Sequence, residues 1–113
     1  MKERRQTKIA VLIKRELSSL INNDFGESYG IVSVVDVDVT PDFESGKVYI
    51  SVFDEVKKEK LLQSLQSHAY YYQRILADKL KMRSTPKLNF LLDLYQTKVD
   101  RVDQLLEDVK HGS

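Results

Sequence analysis

A sequence of 113 residues, 42% apolar and 31% charged, has room for one domain, 1–113, and the balance of a folded chain, which excludes a second core and a disordered polyelectrolyte. It contains no cysteine, so disulfides, Cys-ligated zinc and a thiol nucleophile are excluded. The formal net charge of +1 points to no partner by itself, and the longest apolar run, Ile9–Ile13, is far short of the ~20 residues that span a bilayer.

Residues 3–22 are predicted to form a helix. Ile9, Leu12, Ile13, Leu17, Leu20 and Ile21 recur at three- and four-residue steps and so share one stripe. Asn22-Asn23-Asp24 and Gly26 are expected to end it. Ile31–Val39 has the pattern of a strand, with Val35, Val37 and Val39 alternating with Asp36 and Asp38. Lys47–Phe53 is a second strand, and the short loop Thr40–Gly46 between them implies an antiparallel hairpin. Asp54 or Glu55 opens a long helical region with its stripe at Leu61, Leu65, Ala69, Tyr72, Leu76 and Leu80. It is one helix or two, ending near Met82 before Ser84-Thr85-Pro86. Leu88–Asp93 is a third strand. Thr97 and Asp100 have the spacing of a capping box ahead of a last helix, with Val99, Val102, Leu105, Leu106 and Val109 as its stripe. The order α-β-β-α(α)-β plus a C-terminal helix predicts an α+β fold, a three-stranded sheet with helices on one face.

Catalytic signatures are absent from the sequence. Gly26, Gly30, Gly46 and Gly112 match neither the dinucleotide nor the P-loop spacing. His68 and His111 are too far apart for a helical metal pair, and His68 is expected to be an ordinary helix residue. Asp36, Asp38 and Asp42 are weighed as a carboxylate cluster for metal or acid–base work. The plainer account is a solvated strand face that resists edge pairing. No nucleophile, base or cofactor is assembled behind them, so no enzyme, cofactor or metal site is expected.

The charge pattern carries more. Residues 1–15 hold six bases and one acid, residues 16–56 one base and nine acids, residues 57–87 eight bases and two acids, and residues 88–113 three bases and five acids. If the two basic blocks meet in space, they make one positive face on a nearly neutral protein. Arg4, Arg5, Lys8, Lys14 and Arg15 from the first block, with Arg74, Lys79, Lys81, Arg83 and Lys87 from the second, are the candidate RNA-binding residues, because clustered Lys and Arg neutralise phosphates. Within Tyr70-Tyr71-Tyr72, Tyr72 belongs to the core stripe. Tyr70 or Tyr71 is either a stacking platform for an unpaired base or an aromatic flanking the core.

Three stretches resemble the ribosome-binding factor A family. The first is the basic N-terminal helix, with Arg4-Arg5 and Ile9…Ile13…Glu16-Leu17. The second is the segment 37–52, VDVTPDFESGKVYISV, whose Thr40-x-Asp42 precedes Lys47-Val48-Tyr49. The third is the segment 80–90, LKMRSTPKLNF, with Asp93 after it. The resemblance implies a type II KH-like fold without the KH glycine signature. It also implies a non-catalytic assembly factor, needing no cofactor, that binds the free small ribosomal subunit and its rRNA in late maturation and supports processing of the rRNA 5′ end. One departure stands out. Where the family usually has an Ala-x-Gly kink between two helices, this chain has His68-Ala69-Tyr70, so either the helix runs straight here or the bend is made another way.

The charged N-terminal stretch, without an apolar core of leader length, predicts a soluble cytoplasmic protein, and the apolar stripes look used up by one core, which predicts a monomer. The alternative function is a small α+β protein–protein interaction module that docks a partner helix or a sheet edge. A DNA-binding domain would use the same charges, but no helix-turn-helix signal is present.

Overall fold

The first apolar stripe runs further than its polar flank suggests. In the computed structural model, which describes residues 4–83 and 85–93, helix α1 spans Arg4–Tyr29 and does not stop at the Asn22-Asn23-Asp24 cluster. The stripe itself continues. Phe25 and Tyr29 follow Ile21 at four-residue steps, Tyr29 is buried and Phe25 packs on the core, and their rings meet edge to face at 5.9 Å. The polar residues do not cap the helix. Asn22 donates back to the Ser18 carbonyl one turn earlier at 2.8 Å, a bond the helix accommodates, and Asp24 accepts from the Tyr72 hydroxyl at 2.9 Å and so is turned to Tyr72 rather than to its own backbone. The stop comes at Gly30, φ +73°, whose N–H donates to the Gly26 carbonyl at 2.9 Å. This is the left-handed position after a helix where glycine is favoured.

Strand β1, Val32–Val39, pairs antiparallel with β2, Ser45–Val52, from Val32 opposite Val52 to Val39 opposite Gly46. The expected hairpin is there, but its inward phase is not uniform. Val35 is exposed, while Val32, Val34, Val37 and Val39 are buried. The first two valines and the last two are out of phase by one residue. A β-bulge between Val34 and Asp36 absorbs the odd residue, and the Val37 amide donates to Asp36 Oδ1 at 2.9 Å there.

Asp54 accepts from the Val56 amide at 3.0 Å and opens a 3₁₀ turn, Glu55–Lys57. Two helices follow, α2 over Lys58–Ser67 and α3 over Ala69–Lys79. His68 is therefore the joint between them and not a residue of a continuous helix. Its φ of −96° and ψ of 3° lie in the bridge region, which needs no glycine. Nδ1 donates to the Ser64 carbonyl at 2.7 Å, and the His68 carbonyl accepts the Tyr72 N–H at 3.0 Å. The break thus survives without the Ala-x-Gly residues. Helix α3 ends at Lys79, short of the expected Met82.

Strand β3, Lys87–Leu92, lies parallel to β2, giving the sheet order β1-β2-β3; α2 and α3 form the crossover a parallel pair requires. The outer edge of β3 is occupied by two glutamines. Gln66 accepts from the Phe90 amide at 2.9 Å and donates to the Leu88 carbonyl at 3.3 Å, and Gln73 accepts from the Leu88 amide at 3.4 Å. Ile13, Leu17 and Ile21 of α1, with Leu61, Leu65, Tyr72 and Leu76, pack fully buried against Val48, Ile50, Leu88 and Phe90. The fold is the expected α+β, KH-like arrangement of helices on one face of a three-stranded sheet. The expected capping box at Thr97 and Asp100 and the last helix lie outside the described residues.

Candidate nucleic-acid interface

Helices α1 and α3 run antiparallel along one seam. At one end Phe25 meets His68, ring centroids 5.5 Å apart, and Asp24 meets Tyr72. In the middle Glu16 pairs with Lys79 at 3.6 Å. At the other end Arg5 and Ile9 share a depression of about 360 Å³ with Lys81, Met82 and Arg83. The antiparallel course therefore brings the start of the first basic block to the end of the second.

The hairpin tip closes this depression. Phe43 lines it, and the Arg5 guanidinium lies 5.3 Å from the Phe43 ring centroid, within cation–π range. A dense net holds the tip. Thr40 Oγ1 donates to Asp42 Oδ1 at 2.6 Å and accepts from the Ser45 amide at 3.1 Å, and the Glu44 amide donates to Asp42 Oδ1 at 3.0 Å. The Thr40 hydroxyl first, and the Glu44 amide second, hold the Asp42 carboxyl below its ordinary value. The Phe43 amide reaches the Thr40 carbonyl at 2.9 Å, leaving Phe43 at φ +60°. On the facing wall, the end of α3 closes with the Met82 amide on the Ala77 carbonyl at 3.0 Å and the Lys81 amide on the Asp78 carbonyl at 3.4 Å. This is a Schellman pattern with lysine where glycine is usual, and Lys81 has φ +55°.

The sequence profile of ribosome-binding factor A matches residues 5–106. This chain belongs to the ribosome-binding factor A family. It is 36% identical over 103 residues to ribosome-binding factor A of Clostridium botulinum, strain Loch Maree, an alignment covering 88% of this chain and 86% of the relative. Its fold superposes on the crystal structure of ribosome-binding factor A from Thermus thermophilus with a TM-score of 0.68 and 25% identity, covering 77% of this chain and 94% of that one. It is also similar in fold, at TM-score 0.63 and 22% identity, to a homology model of the Thermus thermophilus factor fitted into a cryo-EM map of a 30S complex; that match covers 83% of this chain and 97% of the other.

In this member of the ribosome-binding factor A family the ten candidate RNA-binding residues do not form one cluster. Arg5, Lys81 and Arg83 come together in the depression just described, and among the described residues none of the three is in an ion pair. Arg15 and Lys79 share a second, shallower depression with Ser19, Asn22 and Asn23, where Glu16 partly neutralises Lys79. Arg4 and Lys8 are exposed on α1 near the azimuth of Arg15. Lys14, nine residues after Arg5, faces the opposite side of α1 at about 100° per residue. Arg74 is exposed on α3, five residues and so about 140° round the helix from Lys79. Lys87 lines a separate hollow with Glu44, Gln66 and Gln73.

Phe43, Ile9 and Met82 line the depression without being among the residues the charge pattern points to. The signal available was Phe43, a bulky ring in an otherwise polar loop. Tyr70 and Tyr71 are 70% and 53% exposed; Tyr70 lines the hollow that holds Lys87, and Tyr71 sits 6.4 Å from His68, ring to ring, so neither lines the depression of Arg5, Lys81 and Arg83. Tyr72 is fully buried, and burial, then its bond to Asp24, raises its hydroxyl pKa. Asp36 and Asp38 lie opposite Tyr49 and Lys47 on the outer face of the sheet. Among the described residues no group of three or more His, Asp or Glu side chains is placed to hold a metal ion, and no helix is long and apolar enough to cross a membrane. His111 lies outside the described residues.

Proposed function

We propose that this chain is a non-catalytic assembly factor. It binds the free small ribosomal subunit and its rRNA during late maturation, supports processing of the rRNA 5′ end, and works as a cytoplasmic monomer through a single RNA-binding domain over 1–113. The observation that carries the reading is the meeting of the two basic blocks along the α1–α3 seam, with Arg5, Lys81 and Arg83 in one depression and Arg15 beside Lys79. The Thermus thermophilus factor, placed in a 30S complex, supports the same partner. Phosphate contacts of this kind are individually modest, add up, and weaken as salt rises. A factor that favours one rRNA conformation over the next shifts the folding equilibrium by that difference in affinity and is released when the difference reverses.

The test is gradient fractionation of cell lysate at low and high salt, blotting for the protein. Sedimentation with free small subunits, absence from translating ribosomes and loss at high salt are expected. A protein that stays at the top of the gradient at both salts overturns the reading.

A second reading, a protein-docking module, has one specific support. Ile31 and Phe53, joined by a backbone hydrogen bond of 3.2 Å just beyond the β1–β2 pairing, and Val56 nearby are 71%, 86% and 92% exposed. An apolar docking surface would hold its partner with little dependence on salt.

A further inference from the structure

Only two described residues other than glycine have a left-handed backbone, Phe43 at φ +60° and Lys81 at φ +55°, and both line the same depression. Each occupies a position where glycine or asparagine would be relaxed: the αL residue of a hairpin loop and the residue after a helix. Strain held by a surrounding hydrogen-bond net and shared by two facing walls marks a site kept for its side chains. Those side chains are an aromatic ring and an ammonium group. Around them stand two guanidinium groups, Arg5 and Arg83, and an apolar floor of Ile9 and Met82. The volume, about 360 Å³, falls at the lower end of the roughly 300–1,000 Å³ of ligand sites.

We infer that this depression takes one unpaired nucleotide of RNA, its base against the Phe43 ring and its phosphate between Arg5, Lys81 and Arg83. The ring offers a stacking face, and stacking on an aromatic side chain tolerates any base. Arg5 now covers that face at 5.3 Å. On binding it exchanges the ring for the phosphate, and the cation–π contact places the guanidinium within reach of both. The three cations have no carboxylate in ion-pair range among the described residues, so none needs to break a salt bridge to reach the phosphate. A bare anion would use the cations and ignore the floor, whereas a nucleotide uses both. The inference rests on the RNA partner proposed above and adds a contact that reads an unstacked base rather than the backbone alone.

The test is a titration of the full chain, followed by amide NMR, with adenosine 5′-monophosphate, with adenosine and with inorganic phosphate. The expected result is saturable shifts at Phe43 and Lys81–Arg83 with the monophosphate, at about millimolar affinity, and at least severalfold weaker binding of phosphate or adenosine alone. Phe43→Leu keeps an apolar side chain and should lose the advantage of the monophosphate over phosphate. Lys81→Gly removes the ammonium group and relaxes the backbone, so it should weaken the monophosphate severalfold without lowering Tm, which separates a binding role from a folding one. Equal responses to the monophosphate and phosphate, or no saturable shift at these amides, would overturn the inference. Co-sedimentation with purified small subunits keeps the two proposals apart. Wild-type binding that Phe43→Leu leaves unchanged sinks the nucleotide site and spares the assembly-factor reading, whereas wild-type protein that does not bind subunits sinks that reading.

Discussion

Asp42 shows how one short side chain sets the geometry of the candidate interface. Its carboxylate accepts from the Thr40 hydroxyl and the Glu44 amide, and so fixes the loop that carries Phe43. Because these bonds favour the ionised form, its folded pKa lies below the unfolded one. The stabilisation is complete above the ordinary carboxylate range and is lost as pH falls through the folded value. Asp42→Ala should therefore lower Tm at about pH 7 and converge on wild type by about pH 2, as followed by thermal melts across that range. A gap that stays constant with pH would show that the carboxylate charge is irrelevant. Gln6 is the one buried polar residue described, donating to the Val39 carbonyl at 2.8 Å and tying α1 to the mouth of the hairpin. Replacing it with leucine leaves that carbonyl without this donor and should cost about 1–3 kcal/mol in denaturant unfolding. The sequence carries the Thr40-x-Asp42 spacing openly. It does not reveal Gln6, because a glutamine beside an arginine pair at a helix start has the look of a wet residue until the facing carbonyl is placed.

The elements divide into those with an unbroken local signal and those set by a partner. The Leu17 stripe is of the first kind. Leu17 is fully buried, and Leu17→Ala should cost about 2–5 kcal/mol; a loss under about 1 kcal/mol would mean that α1 does not anchor the core. The end of α1, the phase of β1 and the break at His68 are of the second kind. Asn22, Asn23 and Gly26 are ordinary stop signals, and the burial of Phe25 and Tyr29 overrides them. A continuous Val-rich run conceals a bulge because periodicity gives no cue to where an extra residue sits. Edge strand β3 is completed by side chains and not by a strand, which no pattern of apolar residues announces. Gln66→Ala should remove two of those hydrogen bonds and cost about 1–3 kcal/mol, with the Phe90 amide losing protection in hydrogen exchange. Unchanged protection at Phe90 would show that Gln66 is dispensable to the edge.

At the scale of the whole molecule, a nearly neutral chain brings Arg5, Lys81 and Arg83 into one depression because two helices distant in sequence run antiparallel. The basic blocks are plain in the sequence; their meeting depends on the seam of Glu16 with Lys79 and Asp24 with Tyr72, which is tertiary. The same packing separates members of each block. Lys14 is turned away from Arg5, and Arg74 and Lys87 stand apart from Lys79 and Lys81, so a list of cations overstates the candidate site. The measurement that tests the central claim most directly is binding of purified protein to purified free small subunits at a series of salt concentrations, comparing wild type with a variant carrying Arg5→Glu and Lys81→Glu and with Lys14→Glu. The account predicts that wild-type affinity falls steeply with salt, and that the double variant stays folded, binds at least about tenfold more weakly and has a shallower salt slope. Lys14→Glu should bind nearly as wild type does. A double variant that binds like wild type, or a Lys14→Glu loss as large as its own, would contradict the assignment of the interface to the α1–α3 seam.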